Sequence, residues 1–270
     1  MDRNQIQFEK QSSVAQYAKG TELQVAEQAI LDRVRRMLPD MDMLDLGVGT
    51  GRTTPHFAPL ARSYLGVDYS EPMIRYCREQ MPQYRFRVGD ARSLGFASPD
   101  SYDLIFFSYN GIDYMDAGAR RQTLLSIERI LRPGGLFIFS SHNANWLPRV
   151  VENFRFRLKS TVRETLGSLR KALVFAAHNR TLRFPLPCPE GFITDGFSSF
   201  RALTTYYIRP DLQVAALRKL GMTNVECIGS DRRDFLSETD PTIPSLVSPW
   251  VYFVCRKPGG TIALPLATYP

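Results

Sequence analysis

The feature that most constrains the fold is an alternation of short apolar segments with helical ones between residues 41 and 141. Five segments have the length and apolar content of buried strands, at residues 41–46, 63–68, 84–89, 102–108 and 135–141. Three segments between them are predicted to be helical, at residues 55–61, 71–81 and 118–132. Because parallel strands need crossover connections, this order predicts an α/β fold with a mostly parallel sheet and helices on both faces.

The alternation of helices and strands continues on both sides of this region. A predicted helix at residues 21–38 precedes the first strand, and Thr21 and Gln24 have capping-box spacing at its start. A helix at 210–221 and strands at 222–229 and 250–257 follow later in the chain. The complete sheet is therefore predicted to have seven strands.

The rhythm breaks between the fifth strand and the late helix, so we expect an insertion there. The predicted division is a core of residues 1–143 and 207–257, an inserted lid at 144–206 and a C-terminal tail at 258–270. The insertion begins with apolar residues at helical spacing and continues into a proline loop and a Phe-, Thr- and Tyr-rich segment expected to form strands over the site. The helical set is Val150, Phe154, Leu158, Val162, Leu166, Leu169 and Leu173, and the prolines are Pro185, Pro187 and Pro189.

Charge is concentrated in the insertion. The chain has a net charge of +7, and residues 149–183 alone hold nine Lys or Arg and two acids, which accounts for the whole excess. The rest of the chain is neutral, which argues against a protein-wide nucleic-acid surface. The four cysteines are far apart, and the N-terminal residues have no apolar core like that of a secretory signal, so we expect reduced thiols in the cytoplasm and no metal site.

The segment DLGVGTGRTT (residues 45–54) follows the first strand and opens the next helix. Its glycines, Gly47, Gly49 and Gly51, leave alternate positions of the backbone without a side chain. A dinucleotide-binding loop has the pattern G-x-G-x-x-G and aims a helix N-terminus at a pyrophosphate, but here Arg52 stands at the sixth position. The pattern indicates a loop that curves around a ligand without phosphates.

Two further motifs, LGVDYSEPM (residues 65–73) and FRVGDARSL (residues 86–94), stand at the ends of the next two strands. With the glycine loop, and in this order, they resemble the class I S-adenosylmethionine-dependent methyltransferases over roughly residues 15–142. The resemblance implies a Rossmann-like sheet, S-adenosylmethionine as the cofactor and methyl transfer as the activity.

The cofactor contacts follow partly from chemistry and partly from the resemblance. A carboxylate at Asp68 can accept both ribose hydroxyl hydrogens, and glycines let the backbone approach the methionine part. The resemblance implies that Asp90 and Ala91 meet the adenine edge, that Tyr69 and Met73 flank the ring, and that Tyr17 closes over the cofactor's carboxylate. We further expect Asp45 to hold the loop's amides. The predicted cofactor-binding set is Tyr17, Asp45, Gly47, Gly49, Gly51, Asp68, Tyr69, Met73, Asp90, Ala91 and Ser108.

The acceptor site should lie after strands four and five. The sequence SYNGIDYM (residues 108–115) lacks the double proline of DNA amino-methyltransferases, which argues against nucleobase amines. His142 is the candidate general base, with a structural histidine bonded to the insertion as the alternative. The predicted acceptor contacts are Asn110, Asp113, Tyr114, Asn143, Trp146 and Tyr206. The alternative for Asn143 and Trp146 is that they anchor the insertion, and for Tyr206 it is packing.

Three functions remain open at this point. The first is a cytoplasmic methyltransferase acting on oxygen or nitrogen of a small-molecule, natural-product or sugar-like acceptor. The second is a methyltransferase acting on RNA or a lipid through the basic insertion. The third is a cofactor-binding protein without transfer activity. Residues 149–183 are accordingly open to three interpretations: a solvated face, recognition of an acidic acceptor, or contact with a membrane surface. The oligomeric state is left open.

Overall fold

The computed structural model describes residues 3–179, 190–195 and 203–259. The strands are β1 Asp42–Leu46, β2 Ser63–Asp68, β3 Arg85–Val88, β4 Tyr102–Phe107, β5 Leu131–His142, β6 Glu190–Asp195, β7 Leu203–Ile208, β8 Thr223–Gly229, β9 Leu236–Ser237 and β10 Trp250–Arg256. The α-helices are α1 Arg3–Phe8, α2 Gln11–Tyr17, α3 Val25–Val34, α4 Thr54–Phe57, α5 Glu71–Gln80, α6 Ala117–Ile130, α7 Leu147–Glu152, α8 Val162–His178 and α9 Pro210–Lys219.

The central sheet has the strand order β3-β2-β1-β4-β5-β10-β8-β9. The first five strands in this order pair in parallel, and β10 lies antiparallel between β5 and β8. This confirms the predicted α/β architecture, with a two-residue eighth strand, β9, added at one edge. The chain leaves β1 toward β2 and then crosses back to β4, so a topological switch point lies between β1 and β4, where open α/β sheets bind ligands.

Both faces of the sheet are buried, as the near-continuous apolar strands require. Along β4, Leu104 and Phe106 belong to one core cluster, whereas Ile105 and Phe107 belong to the other. This alternation is the two-residue period of a strand. Helices cover both faces, and the covered sheet forms a rigid base for the loops at the carboxyl ends of its strands.

The helix predicted at residues 21–38 is shorter than expected, and its cap is elsewhere. It begins after Gln24, which forms a capping box with Glu27, and α3 ends at Val34. The predicted cap at Thr21 is therefore corrected. The shift has a physical cause: the buried Glu27 also accepts two hydrogen bonds from Arg52 and one from Tyr252, which anchors the first turn of α3 to the body.

The insertion does not begin with one continuous helix. Helix α7 ends at Glu152 and α8 begins at Val162, so the apolar pattern predicted at helical spacing spans two helices and a connection. Strands β6 and β7 pair antiparallel, in agreement with the predicted strands, and β7 crosses the expected boundary between residues 206 and 207. Pro185, Pro187 and Pro189 lie outside the described residues, as does most of the predicted tail. The domain division stays a prediction.

Three general features of the described residues bear on function. No helix in these ranges is both long and apolar enough to span a bilayer. Cys77, Cys227 and Cys255 are buried free thiols, and Cys188 lies outside the described ranges. Within those ranges no cluster of three or more His, Cys, Asp or Glu side chains has the arrangement of a metal site.

Candidate functional site

A cleft of about 1080 Å³, including its open mouth, lies at the carboxyl ends of β1, β2 and β4, at the switch point of the sheet. Most of the residues predicted to bind the cofactor line it. Those lining it are Tyr17, Gly47, Gly49, Asp68, Tyr69, Met73, Asp90, Ala91 and Ser108. Three separate sequence motifs thus converge on one cavity, because parallel strands bring their carboxyl ends to the same edge.

Asp68 ends β2 and its carboxylate faces this cleft. One oxygen accepts the amide N–H of Gly49 at 2.9 Å, and the other accepts the amide N–H of Ser70 at 2.8 Å. Burial raises the pKa of Asp68 to about 6, although these two amide bonds oppose the rise. Each oxygen keeps a second lone pair, so the fixed carboxylate can accept two neighbouring hydroxyl groups of a ligand.

The three glycines of the loop all have positive φ, at 62° for Gly47, 56° for Gly49 and 80° for Gly51, where side chains are strained. Their surroundings differ. A Cβ on Gly47 would meet the ring of Phe107 at 2.6 Å, and one on Gly51 would collide with Met81 of the segment after α5. A Cβ on Gly49 would meet no protein atom within 4 Å, since this residue faces the cleft. Gly51 therefore packs closely against the segment after α5, and its contact with a cofactor stays a prediction.

Asp45 contacts two hydroxyl groups, and its expected link to the loop's amides, direct or through water, stays a prediction. It is buried beneath the cleft, where it accepts hydrogen bonds from the hydroxyls of Thr53 at 2.7 Å and Tyr64 at 2.9 Å. Burial raises the pKa of Asp45 to about 7, against the effect of these two donors. Its observed contacts tie β1 to the helix after the glycine loop, so it supports the loop from below.

Asp90 lies at the cleft with its carboxylate paired to Arg92, which also lines the cavity. The guanidinium Nε and Nη2 of Arg92 lie 2.9 and 2.5 Å from Oδ2, and its backbone N–H donates to Oδ1 at 2.8 Å. Burial alone would raise the pKa of Asp90, but these bonds to Arg92 outweigh it and hold the pKa below its ordinary value. The carboxylate is therefore ionised and available as an acceptor at neutral pH.

Aromatic side chains wall the cleft, and one of them comes from an N-terminal segment that motif analysis did not assign. Phe8 lies 6.0 Å from Tyr17, 6.2 Å from Tyr69 and 5.2 Å from Tyr114, measured between ring centroids. All four residues line the cavity. Burial raises the pKa of the Tyr17 hydroxyl above its ordinary range, so it stays a neutral hydrogen-bond donor.

Asn4 fastens this N-terminal cover. Its side-chain amide donates to the carbonyls of Tyr114 at 2.8 Å and Thr204 at 2.9 Å, and its Oδ1 accepts the Thr204 N–H at 3.0 Å. The hydroxyl of Ser70 donates to the Phe8 carbonyl at 3.0 Å. The partners of Asn4 lie 110 and 200 residues away in sequence, so no local pattern signalled its role.

Arg52 is a second residue whose position the motif analysis left unused. It lines the cleft, forms a two-pronged ion pair with buried Glu27, and its guanidinium carbon lies 5.0 Å from the Tyr109 ring centroid. The signal was present, because Arg52 immediately follows the glycine loop. Its guanidinium lies at the cleft with its charge balanced by Glu27.

His142 ends β5, and its ring is held by Asp113 rather than by the insertion. Asp113 Oδ2 lies 2.9 Å from Nδ1 of His142 and also accepts its backbone N–H at 2.6 Å. The hydroxyl of Ser141 donates to the other carboxylate oxygen at 2.8 Å, and Arg120 Nε lies 3.6 Å from that oxygen. A buried carboxylate at Nδ1 fixes the proton there, which leaves Nε2 as the basic nitrogen.

His142 does not line the cleft, but it neighbours Tyr114, which does. Tyr114 lines the cleft and its ring centroid is 6.1 Å from that of His142, while Tyr207 and Trp250 lie 5.0 and 6.5 Å from the same imidazole. Nε2 lies 3.4 Å from the side-chain nitrogen of Asn110. The imidazole therefore has a polar neighbour at Nε2 and aromatic neighbours around it.

Tyr109 and Asn110 both have left-handed backbone angles, with φ of 54° and 60°. Two consecutive residues of this kind carry strain, which proteins concentrate at functional sites. Asn110 is buried, and its Oδ1 has no hydrogen-bond partner among the described residues. This orphan acceptor belongs to the same side-chain amide that lies beside the imidazole of His142.

Of the predicted acceptor contacts, only Tyr114 lines the cleft. Asn143 is buried and donates to the carbonyls of Leu246 and Ser248, so it anchors the entry to the insertion. Tyr206 donates to Glu190, and its ring lies 4.8 Å below the Arg120 guanidinium. Trp146 stacks with Arg149 at 4.4 Å. Contact of these residues with an acceptor stays a prediction.

Comparisons with known proteins find similarity to methyltransferases. Residues 43–135 match the family model of a methyltransferase domain. The uncharacterized methyltransferase YcgJ of Bacillus subtilis is 31% identical over 144 residues, which cover 50% of this chain and 55% of that protein. The malonyl-(acyl-carrier protein) O-methyltransferase of Pectobacterium atrosepticum is 31% identical over 113 residues, which cover 41% of this chain and 43% of that protein. The chain spans about half the length of these curated relatives.

A solved structure resembles nearly the whole chain. It is the 1,6-didemethyltoxoflavin-N1-methyltransferase of Burkholderia thailandensis, with bound 1,6-didemethyltoxoflavin and S-adenosylhomocysteine. The TM-score is 0.53 at 14% sequence identity, and the match covers 87% of this chain and 78% of that one. At this identity the likeness concerns the fold.

Proposed function

We propose that this chain, which belongs to the class I S-adenosylmethionine-dependent methyltransferases, transfers a methyl group from that cofactor to an oxygen or nitrogen atom of a small-molecule acceptor. The observation that carries the proposal is the Asp113–His142 pair, which lies one aromatic ring away from a cleft built around Asp68. Together they give the chain a cofactor site and an adjacent base.

The cleft fits the cofactor by its own geometry. Gly49 leaves open space where any Cβ would project into the cavity, and its amide is already fixed by Asp68. The cavity walls combine aromatic rings with acceptor carboxylates and the guanidinium groups of Arg52 and Arg92. This mixture suits a ligand with a flat base, a ribose and an amino-acid end.

We assign the contacts residue by residue. Asp68 would hold the ribose hydroxyls, and Asp90 with the Ala91 amide would meet the adenine edge. Tyr69 and Met73 would pack on the ring, and Arg52 beside Tyr17 would receive the carboxylate of the methionine part. These assignments rest on the placement of all seven residues around one cavity.

When bound, S-adenosylmethionine supplies an electrophilic methyl group on its sulfonium. The chain's own residues align the reactants, exclude water and accept one proton. His142 carries its proton on Nδ1, next to Asp113, so Nε2 can take the proton of an acceptor hydroxyl as methylation proceeds. Asn110 can accept a second hydrogen bond from the same molecule through its orphan Oδ1.

The aromatic neighbours of His142 favour a flat acceptor. Tyr114, Tyr207 and Trp250 all lie within 6.5 Å of the imidazole centroid, and such rings bind planar or sugar-like faces. The relatives' names include an O-methyltransferase and an N1-methyltransferase, so they support transfer to either atom without choosing between them. The base at Nε2 favours oxygen, since amines need only be neutral to react.

The test is a mass-spectrometric screen. Pure protein is incubated with a metabolite extract and cofactor labelled in the methyl group, and products are sought that have gained one labelled methyl. We expect one or a few flat hydroxylated compounds, formed by the wild type and not by Asp68→Ala. A protein that binds the cofactor tightly and yet labels nothing would favour the non-catalytic alternative.

A further inference from the structure

Helix α8 and the segment before it present large apolar side chains to solvent. The exposed fractions are 82% for Leu158, 77% for Val162, 61% for Leu173, 60% for Leu166, 48% for Phe156 and 40% for Leu169. On α8 these residues follow the spacing i, i+4, i+7, i+11, which places them on one stripe of the helix. Isolated exposed leucines are ordinary, but a continuous stripe of this kind marks a contact surface.

The stripe is not the face that holds α8 to the body. Phe175 is buried and stacks on Phe154 at 4.5 Å, in one cluster with Leu147 and Tyr207. Phe175 follows Leu173 by two residues, which places the two side chains about 160° apart around the helix axis. The helix therefore has an inner apolar anchor and an outer apolar stripe, and no described residue covers the stripe.

Basic residues lie along one border of the stripe and in the segment that precedes it. Within the described part of the segment, residues 149–179 hold seven Lys or Arg and two Glu, a net charge of seven minus two, or +5. Arg163 and Arg170 lie on α8 at one border of the stripe, by the helical period. Arg155, Arg157 and Lys159 alternate with Phe156 and Leu158 just before the helix. One of these, Arg157, pairs with Glu152 at 3.4 Å.

We propose that this face, the stripe with its basic border, docks on an anionic lipid bilayer. An apolar stripe edged by arginine and lysine is the pattern of a helix that lies in the interface plane, with its leucines among acyl chains and its cations among headgroups. Charge complementarity selects this occupant. A second copy would bring two faces of +5 together, and RNA has phosphates for the cations but nothing for six exposed apolar side chains.

Docking would bring the acceptor side of the protein to the membrane. The cluster that anchors α8 includes Tyr207, whose ring lies 5.0 Å from that of His142. The inference goes beyond the proposed function and does not depend on it, since vesicle binding requires neither cofactor nor turnover.

The test is co-sedimentation of the full chain with vesicles. We expect binding to phosphatidylcholine vesicles that contain phosphatidylglycerol, weaker binding at high salt, and little binding to phosphatidylcholine alone. The variant L166E/L173E should lose at least about tenfold in vesicle affinity, because it puts two negative charges where the docked protein would place leucines among acyl chains. The variant R163E/R170E should lose the part of the vesicle binding that weakens at high salt.

The matched control is L125E, an exposed leucine on α6 with 42% exposure, which should bind vesicles as the wild type does. Circular dichroism and cofactor calorimetry verify that each variant is folded, and L166Q/L173Q replaces the glutamate variant if that one unfolds. Three outcomes overturn the proposal: equal binding to neutral and anionic vesicles, sedimentation that the stripe variants retain, or a lower melting temperature for both stripe variants with unchanged vesicle binding. The last outcome would mean that part of this chain covers the stripe. Loss of cofactor binding by the wild type would instead count against the proposed function alone.

Discussion

Asp113 holds His142 twice, through the imidazole Nδ1 at 2.9 Å and through the backbone N–H at 2.6 Å. One carboxylate thus fixes both the position and the tautomer of the only histidine near the cleft in the described ranges. Asp113 is itself buried, with Ser141 and Arg120 at its other oxygen. This arrangement separates the base from the cofactor cleft, so changes at the two places should have separate effects.

We expect His142→Ala to lower kcat by about 100-fold or more, the usual contribution of a positioned general base. Cofactor affinity should change by less than about twofold, because His142 does not line the cleft. Turnover with labelled cofactor measures the first quantity and calorimetry the second. Asp113→Asn should reduce kcat in the same way and also lower the melting temperature, since it leaves Arg120 without its buried partner. An equal loss of turnover and cofactor affinity in His142→Ala would point to a structural role.

Cofactor affinity should depend on pH through Asp68. Its ionised form can accept both ribose hydroxyls, and its pKa is raised to about 6 from 3.8. Affinity should therefore be constant at high pH and fall by about tenfold per pH unit below the pKa. The free energy of unfolding should change with pH in the opposite direction. Because the pKa of Asp68 is raised in the folded state, ionisation is costly there, and the contribution of Asp68 to stability falls as pH rises from 3.8 to about 6.

Calorimetry across this range, beside thermal melts, measures both trends. Asp68→Asn should bind the cofactor more weakly at neutral pH and lose the pH dependence, and Asp68→Ala should lose at least about tenfold, or ~1.4 kcal/mol. Asp45→Asn is the control, since Asp45 also has a raised pKa, about 7, but does not line the cleft. A pH dependence that persists in Asp68→Asn would assign it to another group.

Substitutions of the loop glycines should differ in whether they mainly change cofactor affinity or thermal stability. Gly49→Ala places a methyl in the open cleft at φ 56°, so we expect at least about tenfold weaker cofactor binding. Gly51→Ala pushes a methyl into Met81, so it should lower the melting temperature more than Gly49→Ala does. Gly95→Ala, which meets no atom within 4 Å and has no positive φ, is the neutral control. Similar affinity losses in Gly49→Ala and Gly51→Ala would mean that both act only through loop strain.

The N-terminal cover should be released by Asn4→Ala. This change removes three hydrogen bonds between α1 and the distant Tyr114 and Thr204. We expect cofactor affinity to fall about fivefold, near the 1 kcal/mol of a typical hydrogen bond, and hydrogen exchange in α1 to become faster. Ile6→Ala, at an exposed position of the same helix, should change neither quantity. Unchanged exchange in Asn4→Ala would show that the cover is held by other contacts.

The sheet and the convergence of the three motifs on one cleft could be predicted because their signals are local. Apolar strands, the glycine loop and the acids that end β2 and follow β3 each occupy a few consecutive residues, and strand geometry then brings them together. Asn4 was missed because its partners lie far away in sequence. The position of Arg52 directly after the glycine loop was visible in the sequence, but its pairing with Glu27, 25 residues away, was not. Asp113 was assigned to the acceptor, but the pairing that gives it a role, with His142, spans 29 residues and two strand ends.

The most direct test of the central claim is a crystal structure of this protein with S-adenosylhomocysteine. We predict both ribose hydroxyls on the Asp68 carboxylate, the adenine between Tyr69 and Met73, and the amino-acid end beside Arg52. Electron density for the nucleoside at another site, or a cleft that stays filled by Phe8 and Tyr17 at saturating ligand, would contradict this account.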